Sequence, residues 1–316
     1  MENSNVVPDV SVLVPAYNEV ENIPVLIDSL ISMFDRHGLN GEIVLVDDGS
    51  TDGTYSAAAG IAGSEKRLKL LRHRRNFGKT EAMLTGNAAA SAKVVVLYDA
   101  DMQHAPDDIP RFLRKMAEEP GYDIVCGHKV GKYSKRFVSS AYNFLSRLLF
   151  DVPVRDLNSM KAYRREILEE IHLRHDWHRF FVALAYNRGY RVGELDVELL
   201  PRRRGQSKYT GLWRVMVGLL DLISVKFLIS LGKKPMSLFG TGGLALLFLG
   251  FVTGVVALYF RFGMTPPQGY RPLLYLVILF VLAGVLLFTL GFLTELIGQL
   301  LERLKDVEDR LRNRDK

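Results

Sequence analysis

Through the first two hundred residues, short apolar runs alternate with longer stretches in which apolar positions recur every three or four residues. Val10–Val14, Ile43–Val46, Leu68–Leu71, Val94–Tyr98 and Ile124–Cys126 read as strands. A helical pattern from Asn18 to about Phe34, the alanine-rich stretch Thr80–Ala92 and the proline-started segment Pro106–Glu118 read as helices. This alternation predicts an α/β domain with a largely parallel sheet, in which ligands bind beyond the carboxyl ends of the strands. The polar clusters stand at those ends: Pro15–Glu19 after the first strand, Asp47–Asp52 after the second and Asp99–His104 after the fourth.

The last third has another pattern. Leu238–Phe260 and Pro272–Thr294 carry no charged side chain, and at about 23 residues each is long enough to cross a hydrocarbon core as a helix. A buried helix hairpin of a soluble protein is the alternative. Arg202, Arg203, Arg204, Lys208, Lys226, Lys233 and Lys234 precede the first run, basic residues from Arg303 to Lys316 follow the second, and only Arg261 and Arg271 lie between. The positive-inside rule then puts both flanks in the cytoplasm, as expected for an integral protein of the cell membrane. Leu212–Leu231, interrupted by Arg214, Asp221 and Lys226, suits a helix in the membrane interface or a core helix of the soluble part. The tail Gln299–Lys316 suits a solvated extension of the second span or a short self-association segment, leaving a homo-oligomer open. The expected organisation is a soluble domain over 1–209, a juxtamembrane helix over 210–236, two spans within 237–296 and a charged helical tail over 297–316.

Composition narrows the function classes. The 316 residues are 48% hydrophobic and 24% charged, with a net charge of +6, which excludes a disordered or fibrous chain. The single cysteine, Cys126, excludes an intrachain disulfide and a cysteine-clustered zinc site. Met1–Asp9 lacks the basic-then-apolar order of a secretory signal. No G-x-G-x-x-G follows a strand, and Gly78-Lys79-Thr80 ends like a phosphate-binding P-loop but has His73 where the opening glycine belongs. H-E-x-x-H and G-x-S-x-G are absent, so dehydrogenases, P-loop ATPases, zinc proteases and α/β-hydrolases lose their support. No nucleic-acid partner is expected.

What remains is Asp99-Ala100-Asp101 at the end of an apolar run. In extended backbone, residues i and i+2 share a face, so both carboxylates can hold one hard divalent cation with positions left open for phosphate oxygens, and Gln103 is in phase with them. A solvated loop capping the next helix is the plainer reading. Asp47 and Asp48, taken alone, suit turn and N-cap duty.

Taken together, Val14-Pro15-Ala16-Tyr17-Asn18-Glu19, Asp47-Asp48-Gly49-Ser50-Thr51-Asp52, Arg75-Asn76-Phe77-Gly78-Lys79 and Asp99-Ala100-Asp101-Met102-Gln103-His104 resemble glycosyltransferase family 2 in order and spacing. Asn158–Glu166, His178-Arg179-Phe180 and Arg202–Tyr209 look like its dolichyl-phosphate mannose synthase and polyprenyl-phosphate glucosyltransferase branch. The resemblance implies a GT-A fold in which Pro15, Tyr17, Glu19 and Asp48 hold the nucleoside of a nucleotide-sugar and Lys79 helps at its diphosphate. It implies that Asp99, Asp101 and Gln103 hold Mg²⁺ or Mn²⁺ on the donor diphosphate, and that Arg202, Ser207 and Lys208 lie near the leaving diphosphate and the acceptor phosphate. Lys129, Lys135, Arg136 and Ser139 fall where related enzymes grip the lipid phosphate. Ser159-Met160-Lys161 lacks the glycine the branch often carries there, which puts the sugar in question. The Gln-x-x-Arg-Trp box of processive synthases is absent, so one transfer per acceptor is expected.

The implied reaction is an inverting displacement moving a hexose, glucose from UDP-glucose or mannose from GDP-mannose, to a dolichyl or undecaprenyl phosphate. A phosphate monoester is mostly ionised at pH 7, so the nucleophile needs no strong base. Asp99, Asp101 and Arg202 are then the catalytic candidates. The rival expectations are transfer to diacylglycerol, ceramide or a polysaccharide, and a silent membrane scaffold that kept the fold.

Overall fold

The computed structural model describes residues 7–130, 152–171, 173–200, 226, 235–263 and 270–314. The chain divides into two compact units, residues 1–222 and 223–316.

The first unit is built on strands β1 (Val10–Ala16), β2 (Gly41–Asp47), β3 (Leu68–Arg72), β4 (Val94–Leu97), β5 (Ile124–Val130), β6 (Lys161–Arg164) and β7 (Val192–Glu198). They form one sheet in the order β3-β2-β1-β4-β6-β5-β7. β3, β2, β1 and β4 are mutually parallel; β6 runs antiparallel between β4 and β5, and β7 pairs parallel with β5. The helices of this unit are α1 (Ile23–His37), α2 (Thr54–Ala62), α3 (Lys79–Ala89), α4 (Asp108–Ala117), α5 (Arg165–Glu170) and α6 (Phe181–Asn187), with a 3₁₀ turn over Trp177–Phe180.

The five expected strands are present. β1 and β2 are buried along almost their whole length, as apolar runs covered on both faces must be. α1 presents Ile23, Leu26, Ile27, Leu30, Met33 and Phe34 to the sheet at helical spacing. Each fully buried side chain of this size contributes about 1.5–3 kcal/mol. Phe34 covers Gly41, where an added Cβ would lie 2.3 Å from the ring.

The boundaries differ for local reasons. α1 begins at Ile23 rather than Asn18, because Asn18 takes a left-handed conformation (φ 55°) and Pro24 suits only a first turn. α3 stops at Ala89, where Ala90 turns to extended backbone ahead of β4. β6 and β7 lack an apolar signature: β6 opens and closes on Lys161 and Arg164, and β7 carries Gly193, Glu194 and Asp196.

The second unit is a hairpin of α7 (Pro235–Phe262) and α8 (Tyr270–Arg314). Phe239–Phe262 and Tyr270–Leu300 have mean hydropathies of 2.2 and 2.9, and only 17% and 6% of their most apolar stretches are buried. A soluble core hairpin would hide these side chains, so the exposure favours two membrane-spanning helices. The helices meet where glycines remove the side chain: a Cβ on Gly243 would lie 2.8 Å from the Gly284 carbonyl oxygen and from the Phe288 nitrogen. Gly242, one residue away, has no heavy atom nearer than 3.9 Å.

These neighbours give a matched pair. Gly243→Ala is expected to destabilise the hairpin by about 1–3 kcal/mol through a backbone clash, whereas Gly242→Ala is expected to be neutral or slightly stabilising. Thermal unfolding of the two full-length variants in detergent checks the difference.

Candidate active site

The loops after β1 and β2 are tied together at the carboxyl edge of the sheet. Asp48 N donates to Ala16 O at 2.8 Å, Asn18 N to Ser50 Oγ at 2.9 Å, Thr51 N to Asn18 Oδ1 at 2.9 Å and Glu19 N to Thr54 Oγ1 at 2.8 Å. Pro15, Tyr17 and Glu19 are therefore held beside Asp48 by main-chain and hydroxyl contacts. Glu19 also accepts from Asn22 Nδ2 at 2.7 Å.

Asp48 is buried, and its carboxylate organises the next loop. Oδ1 accepts from His73 Nδ1 at 2.7 Å and Phe77 N at 2.9 Å, and Oδ2 accepts from Gly78 N at 2.8 Å. The loop passes so close to the β2 turn that a Cβ on Gly49 (φ +70°) would lie 2.4 Å from the Arg75 carbonyl carbon. Gly78 (φ +93°) then turns the chain into α3, whose first residue, Lys79, donates to and pairs with Asp99. One buried acid thus fixes the backbone that launches the cation toward a second acid.

Asp99 follows β4, but the backbone does not stay extended as the sequence reading supposes. Met102 N reaches back to Asp99 O at 3.4 Å, and Met102 is left-handed (φ 54°). Asp99–Met102 is a turn, and it replaces the alternation of an extended strand as the device that positions Asp99, Asp101 and Gln103. A left-handed, buried methionine is strained by about 1–3 kcal/mol, and such strain gathers at functional sites. Gln103 N donates to Asp101 Oδ1 at 3.3 Å, and Gln103 O accepts from Leu200 N at 2.8 Å. Among the described residues no group of three or more His, Cys, Asp and Glu side chains forms a closed metal cage. Two carboxylates and one amide suit a hard cation such as Mg²⁺ or Mn²⁺ that takes its remaining ligands from substrate phosphates and water.

Comparison with known proteins agrees with this geometry. The model of "Glycosyl transferase family 2" matches residues 11–191. This chain belongs to glycosyl transferase family 2. It is 31% identical over 302 residues to the dodecaprenyl-phosphate galacturonate synthase of Rhizobium johnstonii, covering 92% of this chain and 88% of the relative. It is also 31% identical to the undecaprenyl-phosphate 4-deoxy-4-formamido-L-arabinose transferase of Serratia proteamaculans, covering 92% and 89%. Among solved structures, the glucosyl-3-phosphoglycerate synthase of Mycobacterium tuberculosis, bound to Mn²⁺, UDP and glucosyl-3-phosphoglycerate, superposes with a TM-score of 0.54 at 22% identity. That match covers 68% of this chain and 80% of the other, and it shows a shared GT-A fold.

Behind the edge of this family 2 transferase site several ionisable groups gather, with Lys161 and His104 buried and Asp99 and His178 half-buried. Burial alone would raise the Asp99 carboxyl, but the Lys79 charge and hydrogen bond, with Lys161 adding positive potential, hold it well below the usual carboxylate range. Burial lowers Lys161 to about 8, with Lys79 pushing the same way and Asp99 opposing. Burial lowers His104 to about 4, and its Nδ1 has no hydrogen-bond partner among the described residues. The Tyr98 hydroxyl donates to the His104 carbonyl oxygen. His178 is pushed well below the ordinary histidine value by burial and then by Lys79. Thr80 Oγ1 accepts the His178 backbone N–H at 3.2 Å and is hydrogen-bonded to Nδ1 at 3.1 Å. The imidazole is thereby held neutral near pH 7. Burial raises the Cys126 thiol to about 12, which makes it inert.

The structure brings Lys79 to Asp99 and places Asp48 behind both. Lys129 is elsewhere engaged, at 3.4 Å from buried Asp156. Lys135, Arg136, Ser139, Arg202, Ser207 and Lys208 lie outside the described residues, as does Leu212–Leu231 apart from Lys226. Lys161, His104 and His178 were not among the sequence candidates, although each sits in a segment that carried the family resemblance. Their signal is burial, which spacing does not reveal.

His178 gives a pH test. In the unfolded chain it protonates near 6.5, whereas folded burial resists the proton, so acid favours unfolding. Its contribution is fully present above pH 6.5 and is lost as pH falls, at up to about 1.4 kcal/mol per pH unit. Thermal unfolding between pH 7 and pH 5 is expected to fall less steeply in His178→Gln than in the parent protein.

Proposed function

We propose that this chain transfers a sugar from a nucleotide-sugar to a polyprenyl phosphate, with inversion, in a single displacement. The observation that carries the reading is the likeness to two polyprenyl-phosphate sugar transferases over 92% of the chain, a span long enough to include the apolar hairpin as well as the transferase domain. Asp99, Asp101 and Gln103 would hold Mg²⁺ or Mn²⁺, which when bound offsets the negative charge that builds on the departing diphosphate. Lys79 sits against Asp99 and supplies a second positive charge at that place. Pro15, Tyr17 and Glu19 line the nucleoside side. Asp48 acts through the loop it holds, because both its oxygens are engaged there.

The acceptor phosphate, ionised near neutrality, attacks the anomeric carbon without a strong base. This agrees with the two histidines behind the site, His104 and His178, being held neutral. Arg202, Ser207 and Lys208, with Lys135, Arg136 and Ser139, are assigned to the two phosphates, whose mutual repulsion the basic ones offset, and Lys129 would join them only by leaving Asp156. The flanking bases put the transferase domain and the tail on the cytoplasmic side of the cell membrane, where a lipid carrier holds its phosphate at the interface. The sequence reading favours glucose or mannose, whereas the named relatives handle galacturonate and a formamido-arabinose.

The test uses purified full-length protein, Mn²⁺ or Mg²⁺, and labelled UDP-glucose, GDP-mannose and nucleotide-linked uronic and amino sugars, each with and without undecaprenyl phosphate. Metal-dependent label in the organic phase from one donor is expected, and Asp101→Ala is expected to abolish it while leaving the protein folded and membrane-bound. Label that enters diacylglycerol, ceramide or polysaccharide instead would move the acceptor. Arg202→Ala is expected to depress turnover more than nucleotide affinity.

A further inference from the structure

α8 outruns its partner. Met236 N, at the start of α7, donates to Glu295 Oε2 at 3.3 Å, which marks where the two helices end their shared length. Beyond Glu295, α8 continues to Arg314, about 19 residues or roughly 28 Å. Along this extension Leu293, Ile297, Leu300, Leu304, Val307 and, in the sequence, Leu311 recur at alternating steps of four and three. That is the a/d spacing of a coiled coil. Leu304 and Val307, past the apolar span that ends at Leu300, are 63% and 53% exposed, the opposite of what a seam packed within its own chain would show.

With Ile297, Leu304 and Leu311 at a, and Leu300 and Val307 at d, the sequence puts Arg303 at g and Glu308 at the following e. Five residues apart on one helix, they point roughly 140° away from each other and do not pair within it. Across a parallel seam, g and the next e of the facing helix are neighbours, so each Arg303 meets the Glu308 of another copy. The relation repeats in the sequence at Arg310 and Asp315. An antiparallel seam would set Arg303 against Arg310 instead. Copies inserted the same way in a membrane can only present this helix in parallel, and confinement to the bilayer raises the effective concentration of the partner.

We propose that the extension of α8 is a parallel coiled coil between copies of this chain, with Leu300, Leu304 and Val307 at its seam and Arg303–Glu308 pairs fixing its direction. The proposal does not depend on the transfer reaction. The occupant is a second copy because the flanking charges complement themselves in the one orientation the membrane allows.

The experiment measures the mass of the full-length protein in mild detergent and its oxidative cross-linking. Cys126 is buried, so an introduced thiol is the only accessible one. Leu304→Cys is expected to form a disulfide-linked species of twice the chain mass, and Glu302→Cys, on the outer face at f, is expected to do so at least tenfold more slowly. Arg303→Glu and Glu308→Arg are each expected to shift the protein toward single 35.6 kDa chains, and the double reversal to restore the assembly. A parent protein that is monomeric, equal cross-linking at 302 and 304, or an assembly indifferent to both reversals would overturn the proposal. A monomer whose Leu304→Cys thiol is protected would point to a segment of the same chain on the seam, which also overturns it.

Discussion

The carboxylate of Asp48 is buried among donors that all come from one loop, and the site depends on that arrangement. His73, Phe77 N and Gly78 N converge on it, and the next residue along is Lys79. A buried acid stripped of such partners is costly, so the loop and the acid stabilise each other, and the loop cannot drift without leaving the acid unpaired. The β2 turn can lie this close to the loop only because residue 49 has no side chain. Sheet, turn, loop and helix start are thereby locked to one geometry, and its output is a lysine held against Asp99.

This arrangement has an electrostatic logic. A sugar transfer between two phosphate-bearing substrates brings negative charges together and then adds more on the leaving group. The protein meets this with cations placed before any substrate arrives, Lys79 beside Asp99 and Lys161 buried behind it. His104 and His178 are kept neutral by burial, so neither competes with a cation for the carboxylates nor serves as a base that an ionised acceptor does not need. The strained Met102 fits the same picture, because a turn that sets Asp101 and Gln103 beside Asp99 is held against local preference by its surroundings.

Much of this was legible in the residues. Buried parallel strands are apolar runs, and polar residues gather where such strands end, so β1 to β5 and the three loop clusters could be placed from pattern alone. β6 and β7 could not: β6 contains a buried lysine and β7 sets Glu194, Asp196 and Glu198 among Val, Gly and Leu, so neither has an apolar run to read. The two spans were visible in length and lack of charge, and the exposure of their side chains in the structure distinguishes them from a core hairpin. At the site, Asp99 and Lys79 were nameable, but their pairing required the path of the 73–78 loop. The hydrogen bonds that Asp48 accepts from the 73–78 loop were equally invisible, because they depend on the path of that loop in three dimensions.

The central claim is that Asp48 acts on the reaction through Lys79. The most direct measurement is a double-mutant cycle in kcat for sugar transfer with the Asp48→Asn and Lys79→Met variants, assayed well below their melting temperatures. Removing a preorganised charge of this kind typically lowers kcat by about 10²–10³. If Asp48 works through the loop, the double variant will be no slower than Lys79→Met alone, and nucleotide affinity will be little changed by Asp48→Asn. Losses that multiply, or an Asp48→Asn defect confined to nucleotide binding, would contradict it and return Asp48 to direct contact with the donor.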